Sequence, residues 1–301
     1  MNTNKRENTA TDGADKVRER FQTAVNQGGF GFQYRVLTEA LDLYTSKSSD
    51  FYFEMAELPV GVRPRDTRID FVLRRGSRFN PQGRRPLFLV AECKRSYPGV
   101  ANWCFIRAPY TRKGGLANVL VLDSIHRNQS MGFYFMKATS APLDRDDFYQ
   151  IGIEVDLSAK ESEPSGKQKG QIENAATQVL KGLNGFVDFI YKQDALLAEG
   201  DGCDILPGVF TTAQLWTSTA KLDTASLEKG EVGIDPAEFR RVDWLIHQYN
   251  QSPELKHAVD ESIGQKSISD VIEARFSRSI AIVAPTGIRD FLHWATHIQL
   301  H

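Results

Sequence analysis

Two acidic residues and one lysine, placed on neighbouring predicted strands, form the most distinctive chemical grouping of this sequence. Asp70 lies in the segment 68–74, and Glu92 and Lys94 end the apolar segment 86–94. Carboxylate oxygens are ligands that Mg²⁺ prefers, and an ammonium group beside them can stabilise negative charge that develops on a phosphate. These residue types therefore predict cation-assisted hydrolysis of a phosphate ester.

The alternation of side chains along the segment 86–94 places Glu92 and Lys94 on the same face of a strand. Both faces are apolar as far as Ala91, which is typical of a central strand that is covered on each side. Burying charges costs several kcal/mol per ion unless a partner or a metal compensates. Asp70 is the expected partner, because the repulsion between two converging carboxylates is relieved by a divalent cation. A simple ion pair between Glu92 and Lys94 is the alternative interpretation.

The elements around these residues predict an α/β protein with a central mixed β-sheet flanked by helices. Three predicted strands joined by short turns favour antiparallel pairing, and the later alternation of strands and helices favours parallel crossovers. The predicted order is a helix at 32–44, strands at 51–55, 68–74 and 86–94, a helix at 172–190, a strand at 205–216, a helix that begins at 235–238, a strand at 278–284 and a final helix.

The length of 301 residues predicts one domain with an insertion, at residues 19–301. Residues 1–18 are polar and predict a disordered tail. Residues 97–170 are too long for a simple connection and predict an insertion after the third strand. The three cysteines form no CxxC pair, which argues against a zinc site or a disulfide framework. No stretch approaches ~20 apolar residues and no secretion signal is recognised, so that a cytoplasmic location is expected.

Asp70, followed after twenty-one residues by Glu92-Cys93-Lys94, resembles the D-(x)n-E-x-K signature of the PD-(D/E)XK nuclease superfamily. The predicted elements from about residue 30 to residue 216 are similar to the core of that restriction-endonuclease-like fold. The resemblance implies that Asp70, Glu92 and the carbonyl group of Cys93 hold Mg²⁺, with Mn²⁺ as a substitute. It also implies that Lys94 serves the attacking water. The proline that usually precedes the aspartate is missing, since Ile69 stands in its place.

Two further candidate residues follow from this resemblance. Many members carry a catalytic glutamate on the first helix, which Glu39 matches, with Glu54 as the weaker contender. Some members carry a glutamine on the helix after the third strand, which Gln178 matches. Taken alone, Glu39 is more typical of a solvated helix face, and Gln178 is more typical of the edge of an apolar stripe.

The segment from Arg63 to Arg95 is strongly basic, although the whole chain has a formal net charge of -1. It contains ten basic and three acidic residues, and such a local patch can hold a polyanion. The residues predicted to contact nucleic acid are Arg74, Arg75, Arg78, Arg84, Arg85, Arg95 and Gln178. A solvated hairpin turn is the alternative, because Gly76, Pro81 and Gly83 lie in the same segment.

Aromatic and basic residues also interleave at the start of the predicted insertion. They are Trp103, Phe105 and Tyr110 with Arg107, Arg112 and Lys113. This pattern is typical of a surface on which single-stranded bases stack, and a small satellite core explains the aromatic residues equally well.

The combined prediction is a metal-dependent nuclease that acts on DNA, with restriction, repair or defence against mobile elements as roles implied by the resemblance alone. A homodimer is expected by the same resemblance, because two sites are needed to cut both strands. Two alternatives remain open. One is a catalytically inactive nucleic-acid-binding module on the same fold, and the other is a regulatory protein whose insertion binds another chain.

Overall fold

The computed structural model describes residues 7–27, 29–62, 65–76, 85–96, 101–107, 119–128, 133–142, 148–155, 170–192, 202–250 and 277–298. The α-helices in these ranges are α1 (Glu7–Gln27), α2 (Phe30–Thr45), α3 (Gln171–Lys192) and α4 (Ile288–His297). The strands are β1 (Phe51–Val62), β2 (Arg65–Arg75), β3 (Leu87–Lys94), β4 (Asn102–Ile106), β5 (Val119–Asn128), β6 (Phe133–Pro142), β7 (Phe148–Tyr149), β8 (Ile151–Val155), β9 (Gly202–Thr211), β10 (Gln214–Ser218), β11 (Phe239–Val242), β12 (Trp244–Asn250) and β13 (Ser277–Val283).

Nine of these strands form one mixed sheet in the order β1-β2-β3-β9-β13-β12-β7, with β5 paired to β9 and β6 paired to β5. β1, β2 and β3 are antiparallel neighbours, as short turns between successive strands require. β3, β9 and β13 are parallel, and the chain between β3 and β9 includes the crossover helix α3. The α/β class and the mixed sheet flanked by helices are therefore confirmed.

β3 lies in the middle of the sheet and is buried on both faces. Phe88 and Val90 pack in the core that α3 covers, whereas Leu87 and Leu89 pack in the core that α2 and α4 cover. Full burial of a large apolar side chain contributes about 1.5–3 kcal/mol. Packing on two faces therefore offsets the cost of burying the charged residue Glu92 at the end of the same strand.

A second sheet, in the order β11-β10-β4-β8, stands beside the first. Trp103 and Phe105 of β4 are completely buried in the core beneath α3, so that they form no surface for stacking bases. That part of the stacking prediction is wrong, because apolar burial takes up both rings. Tyr110, Arg112 and Lys113 lie outside the described residues.

The segment 97–170, predicted as an insertion on the core, contributes strands to both sheets. β5 pairs with β9, and β7 pairs with β12, within the main sheet. Leu120 and Leu122 of β5 are buried in the core on the side of α2 and α4. Burial of these residues explains why the segment completes the sheet.

Several elements differ from the prediction, and the predicted strand 205–216 is divided into β9 and β10 of different sheets. Residues 7–18 belong to α1, where a disordered tail was expected, and residues 1–6 lie outside the described residues. β1 continues through Pro59, which an edge strand tolerates because one row of its backbone groups has no ladder partner. Asp235 caps only a three-residue 3₁₀ turn, because the following residues pair as β11 and β12.

In the described part of the chain, no helix is both long enough and apolar enough to cross a membrane.

A glycine at the junction of β5 and β9 provides a test of this topology. Gly202 has a φ of +134°, and a Cβ atom there would lie 1.8 Å from the carbonyl oxygen of Ile125. We expect Gly202→Ala to lower the free energy of unfolding, measured with urea, by more than about 3 kcal/mol.

Gly230→Ala is the matched control for this substitution. Gly230 has a φ of +67°, and a Cβ atom there would have nothing within 4 Å of it. Only the backbone preference for glycine is then lost, which costs about 1 kcal/mol. Equal costs for the two substitutions would contradict the close approach of β5 to β9.

Candidate active site

The site lies where β2 leaves β3. The β2–β3 ladder runs from Arg75 opposite Leu87 to Phe71 opposite Ala91. Just beyond this ladder, the backbone N–H of Cys93 donates to the side-chain oxygen Oδ2 of Asp70 at 2.6 Å. The carboxylate of Asp70 therefore takes the place of a backbone acceptor, and it is held against the end of β3.

The alternation of side chains along β2 is broken at this point. Strict alternation predicts Ile69 on the same face as Phe71, but Ile69 packs with Val72 in the core beneath α3. α3 comes close here, because a Cβ atom on Gly182 would lie 3.0 Å from Cγ1 of Ile69. The irregularity accompanies the departure of Asp70 from the ladder.

Glu92 and Lys94 lie beyond the β2–β3 ladder, where β3 still pairs with β9. Glu92 is only 8% exposed, and Nζ of Lys94 donates to its Oε1 at 2.6 Å. Lys94 itself is half-buried. The structure thus brings Asp70, Glu92 and Lys94 together at the end of β3, where the charges of Glu92 and Lys94 both act on Asp70.

Burial and charge repulsion disfavour the ionised form of both carboxylates. Burial, followed by repulsion from Glu92, raises the pKa of Asp70 to about 7 against an ordinary value of 3.8. Burial also raises the pKa of Glu92, although the ammonium of Lys94 opposes this effect. The thiol of Cys93 stays protonated, because burial raises its pKa well above the ordinary value. The site therefore gains from neutralisation by a proton or a cation.

Gln33 and Glu57, neither of which was predicted as a site residue, complete the surroundings of Asp70. Gln33 of α2 is 4% exposed, and its Nε2 donates to Oε1 of Glu57 at 2.7 Å and to the carbonyl oxygen of Asp70 at 2.8 Å. Nη1 of Arg68 lies 3.5 Å from Oε2 of Glu57. A signal for Gln33 exists in the sequence, because it is the one polar residue in the buried stripe of α2.

Glu39 does not reach this site. Its two carboxylate oxygens lie 3.2 Å from Arg35 of the same helix and 3.3 Å from Arg289 of α4. The structure therefore does not bring Glu39 to Asp70 and Glu92, and Glu57 of β1 is the additional glutamate nearby. Gln178 is exposed on α3.

The described residues contain no group of three or more His, Cys, Asp and Glu side chains arranged to hold a metal ion. The donors that are present nevertheless suit a hard cation. Asp70, Glu92 and the carbonyl group of Cys93 all offer oxygen, as Mg²⁺ requires, and the half-buried carboxylate of Asp70 is repelled by the buried carboxylate of Glu92. The residues thus fit the chemistry of a divalent cation.

The basic segment is divided between the interior and the surface. Arg74 and Arg75 are only 2% and 4% exposed, so that the prediction of phosphate contacts is wrong for both. The guanidinium of Arg74 lies 5.3 Å from the centre of the Phe88 ring. Nη1 of Arg75 donates to the carbonyl oxygens of Ala295, Thr296 and Ile298.

Arg85 is also engaged inside the protein. Its Nη2 donates to the carbonyl oxygens of Ile125 and Cys203, and its Nε lies 3.6 Å from Oδ2 of Asp204. Arg95 is exposed beside the candidate site, and Arg78 and Arg84 lie outside the described residues.

No family model, curated protein or solved structure matches this chain.

The pKa of Asp70 generates a testable dependence of stability on pH. Because this pKa is raised in the folded protein, the folded state retains a proton that the unfolded chain releases at lower pH. The resulting stabilisation is complete below the ordinary value and is lost as the pH rises through about 7. We expect the metal-free protein to melt at a lower temperature at about pH 9 than at about pH 5.

Asp70→Asn should reduce this decline. In the free energy of unfolding, the reduction should be on the order of 1–3 kcal/mol. Glu92 contributes in the same direction, so that part of the decline remains. Asp223→Asn, at an exposed residue, is the control and should leave the decline unchanged. A decline of the same size in Asp70→Asn would show that this carboxyl group does not titrate as described.

A second prediction concerns Arg75 as a structural residue. Arg75→Met removes the donors to three carbonyl groups at the end of α4, and we expect a loss of about 2–4 kcal/mol in the free energy of unfolding. Arg35→Met, at an exposed ion pair, should cost less than about 1 kcal/mol. A folded Arg75→Met variant with unchanged stability and a flatter salt dependence of nucleic-acid binding would contradict this role.

Proposed function

We propose that this protein is a metal-dependent phosphodiesterase that hydrolyses nucleic acid, with DNA as its preferred substrate. One observation carries the proposal. Asp70 and Glu92, a half-buried and a buried carboxyl group with raised pKa values on adjacent strands, lie beside the ammonium group of Lys94. Such an arrangement is costly for a folded protein, and a bound cation would remove the cost.

The cation would be held by Asp70, Glu92 and the carbonyl group of Cys93. Mg²⁺ suits these oxygen donors, and Mn²⁺ would substitute for it. When bound, a cation of this kind polarises a phosphate oxygen and lowers the pKa of a bound water.

The residues of the chain have separate tasks in this proposal. The N–H group of Cys93 holds the carboxylate of Asp70 in place, and Glu92 orients the ammonium group of Lys94. Lys94 is half-buried, so that its ammonium group remains within reach of a substrate. Its positive charge would stabilise the negative charge that develops on the phosphate and would orient the attacking water.

Binding of the polyanion would fall to the basic residues outside the interior. Arg95 is exposed one residue after Lys94, and Arg78 and Arg84 are retained as candidates by sequence alone. Such arginines contact phosphates without reading the base sequence, so that broad sequence tolerance is expected. A homodimer with two sites remains part of the proposal for duplex cleavage.

A cleavage assay tests this function. Labelled linear, circular and single-stranded DNA and RNA are incubated with the full chain and Mg²⁺, Mn²⁺ or EDTA. We expect cleavage that requires the metal and that Lys94→Ala lowers on the order of 10²–10³-fold, because charge stabilisation at the phosphate is lost. Lys181→Ala, at an exposed lysine of α3, is the matched control and should cleave like the unmodified protein.

A second candidate function is a catalytically inactive nucleic-acid-binding module. The short contact between Lys94 and Glu92 favours it, because an ion pair alone could account for both residues. Binding without metal and without cleavage would support this candidate and contradict the nuclease. Neither binding nor cleavage would favour a protein that regulates another chain.

A further inference from the structure

A third acidic residue faces the candidate site from β1. Ala56 pairs with Phe71 and Leu58 pairs with Ile69, so that Glu57 lies directly across from Asp70 between these two pairs. Like charges at opposite positions of neighbouring strands destabilise a sheet. The charge of Glu57 acts on both Asp70 and Glu92, since it disfavours the ionised form of each.

The backbone at Glu57 is also unfavourable. Glu57 has a φ of +50°, in the left-handed region that favours glycine, although it lies inside a strand. A non-glycine residue in this region costs roughly 1–2 kcal/mol, and such residues cluster at functional sites. A glutamate here is therefore unfavourable for two separate reasons, its backbone conformation and its charge.

Gln33 holds this arrangement together. Its single side-chain nitrogen donates to Oε1 of Glu57 and to the carbonyl oxygen of Asp70, which links α2 to both strands. Because Gln33 is buried, water does not readily replace either bond. The side chain of Glu57 and the main chain of Asp70 are thus fixed relative to each other.

We propose that Glu57 is a positioning residue whose negative charge raises the affinity of Asp70 and Glu92 for a divalent cation, and that Gln33 fixes it in that position. The inference rests on the proposed function for the identity of the ligand. Glu57 acts here through the field at the two carboxylates and is not assigned as a metal ligand. The stability that the chain loses at this residue is recovered when the cation binds.

The test compares Glu57→Gln with Glu39→Gln in the full chain. Both glutamates lie beside arginines, and their side chains are 28% and 25% exposed, so that the two substitutions remove matched charges. Calorimetric titration with Mn²⁺ gives the affinity, and thermal unfolding in EDTA gives the stability of the metal-free protein.

For Glu57→Gln we expect the Kd for Mn²⁺ to rise on the order of tenfold, as for other residues that act around metal ligands. The melting temperature of the metal-free variant should rise, because repulsion of Asp70 and Glu92 is removed. Glu39→Gln should change neither quantity in this direction. A purely structural glutamate would give the opposite pattern, with a lower melting temperature and an unchanged Kd, and that result would overturn the proposal.

Glu57→Gly provides a second variant that also satisfies the backbone conformation. We expect the same loss of Mn²⁺ affinity and a melting temperature above that of Glu57→Gln, since the left-handed conformation suits glycine. A lower melting temperature in both variants would overturn the proposal.

The unmodified protein and Asp70→Asn separate this inference from the proposed function. If Mn²⁺ binds and Asp70→Asn abolishes binding, but Glu57→Gln binds like Glu39→Gln, only the role of Glu57 fails. If the unmodified protein binds neither Mn²⁺ nor Mg²⁺, the proposed function fails, and the role of Glu57 in cation affinity fails with it.

Discussion

The repulsion between the half-buried carboxylate of Asp70 and the buried carboxylate of Glu92 is the constraint on which the rest of the site depends. Neither group is well solvated, and the pKa values of both are raised. The fold opposes this repulsion with the ammonium group of Lys94 and the N–H group of Cys93, one for each carboxylate. Glu57 adds a further carboxylate, whose partner is the exposed Arg68 at 3.5 Å, and its charge still disfavours the ionised form of both groups.

The architecture makes such a costly site tolerable. β3 is buried on both faces by α3 on one side and by α2 and α4 on the other, so that its position is fixed by apolar packing. Within β3 the two charged residues, Glu92 and Lys94, occur only after Ala91, where the β2–β3 ladder ends. Apolar packing is thus concentrated in the centre of the sheet, and the electrostatic cost is concentrated at one end of β3.

Several buried charges on the main sheet away from this site have partners in the fold. Arg278 and Asp123 form a fully buried ion pair at 2.9 Å, and the hydroxyl group of Ser124 donates to Asp204. Arg75 satisfies carbonyl groups at the end of α4. The contrast supports a distinct role for Asp70 and Glu92, which repel each other even though Lys94 pairs with Glu92 and the N–H group of Cys93 donates to Asp70.

Local patterns in the sequence predicted the parts of the fold that depend on short-range periodicity. The apolar stripes of α2 and α3 and the apolar segments of β2 and β3 were sufficient for those elements, and alternation along β3 was sufficient to place Glu92 beside Lys94. The position of Glu57 could not be predicted in this way, because it depends on the extension of β1 past Pro59 and on the register with β2. The burial of Arg75 depends on α4, which follows it by more than two hundred residues in the chain.

The most direct test of the central claim is an anomalous difference map from crystals of the full chain soaked in Mn²⁺. The account predicts one strong peak within coordination distance of a carboxylate oxygen of Asp70 and one of Glu92, and loss of that peak in Asp70→Asn. A map without a peak at this position, with the contact between Lys94 and Glu92 unchanged, would contradict it.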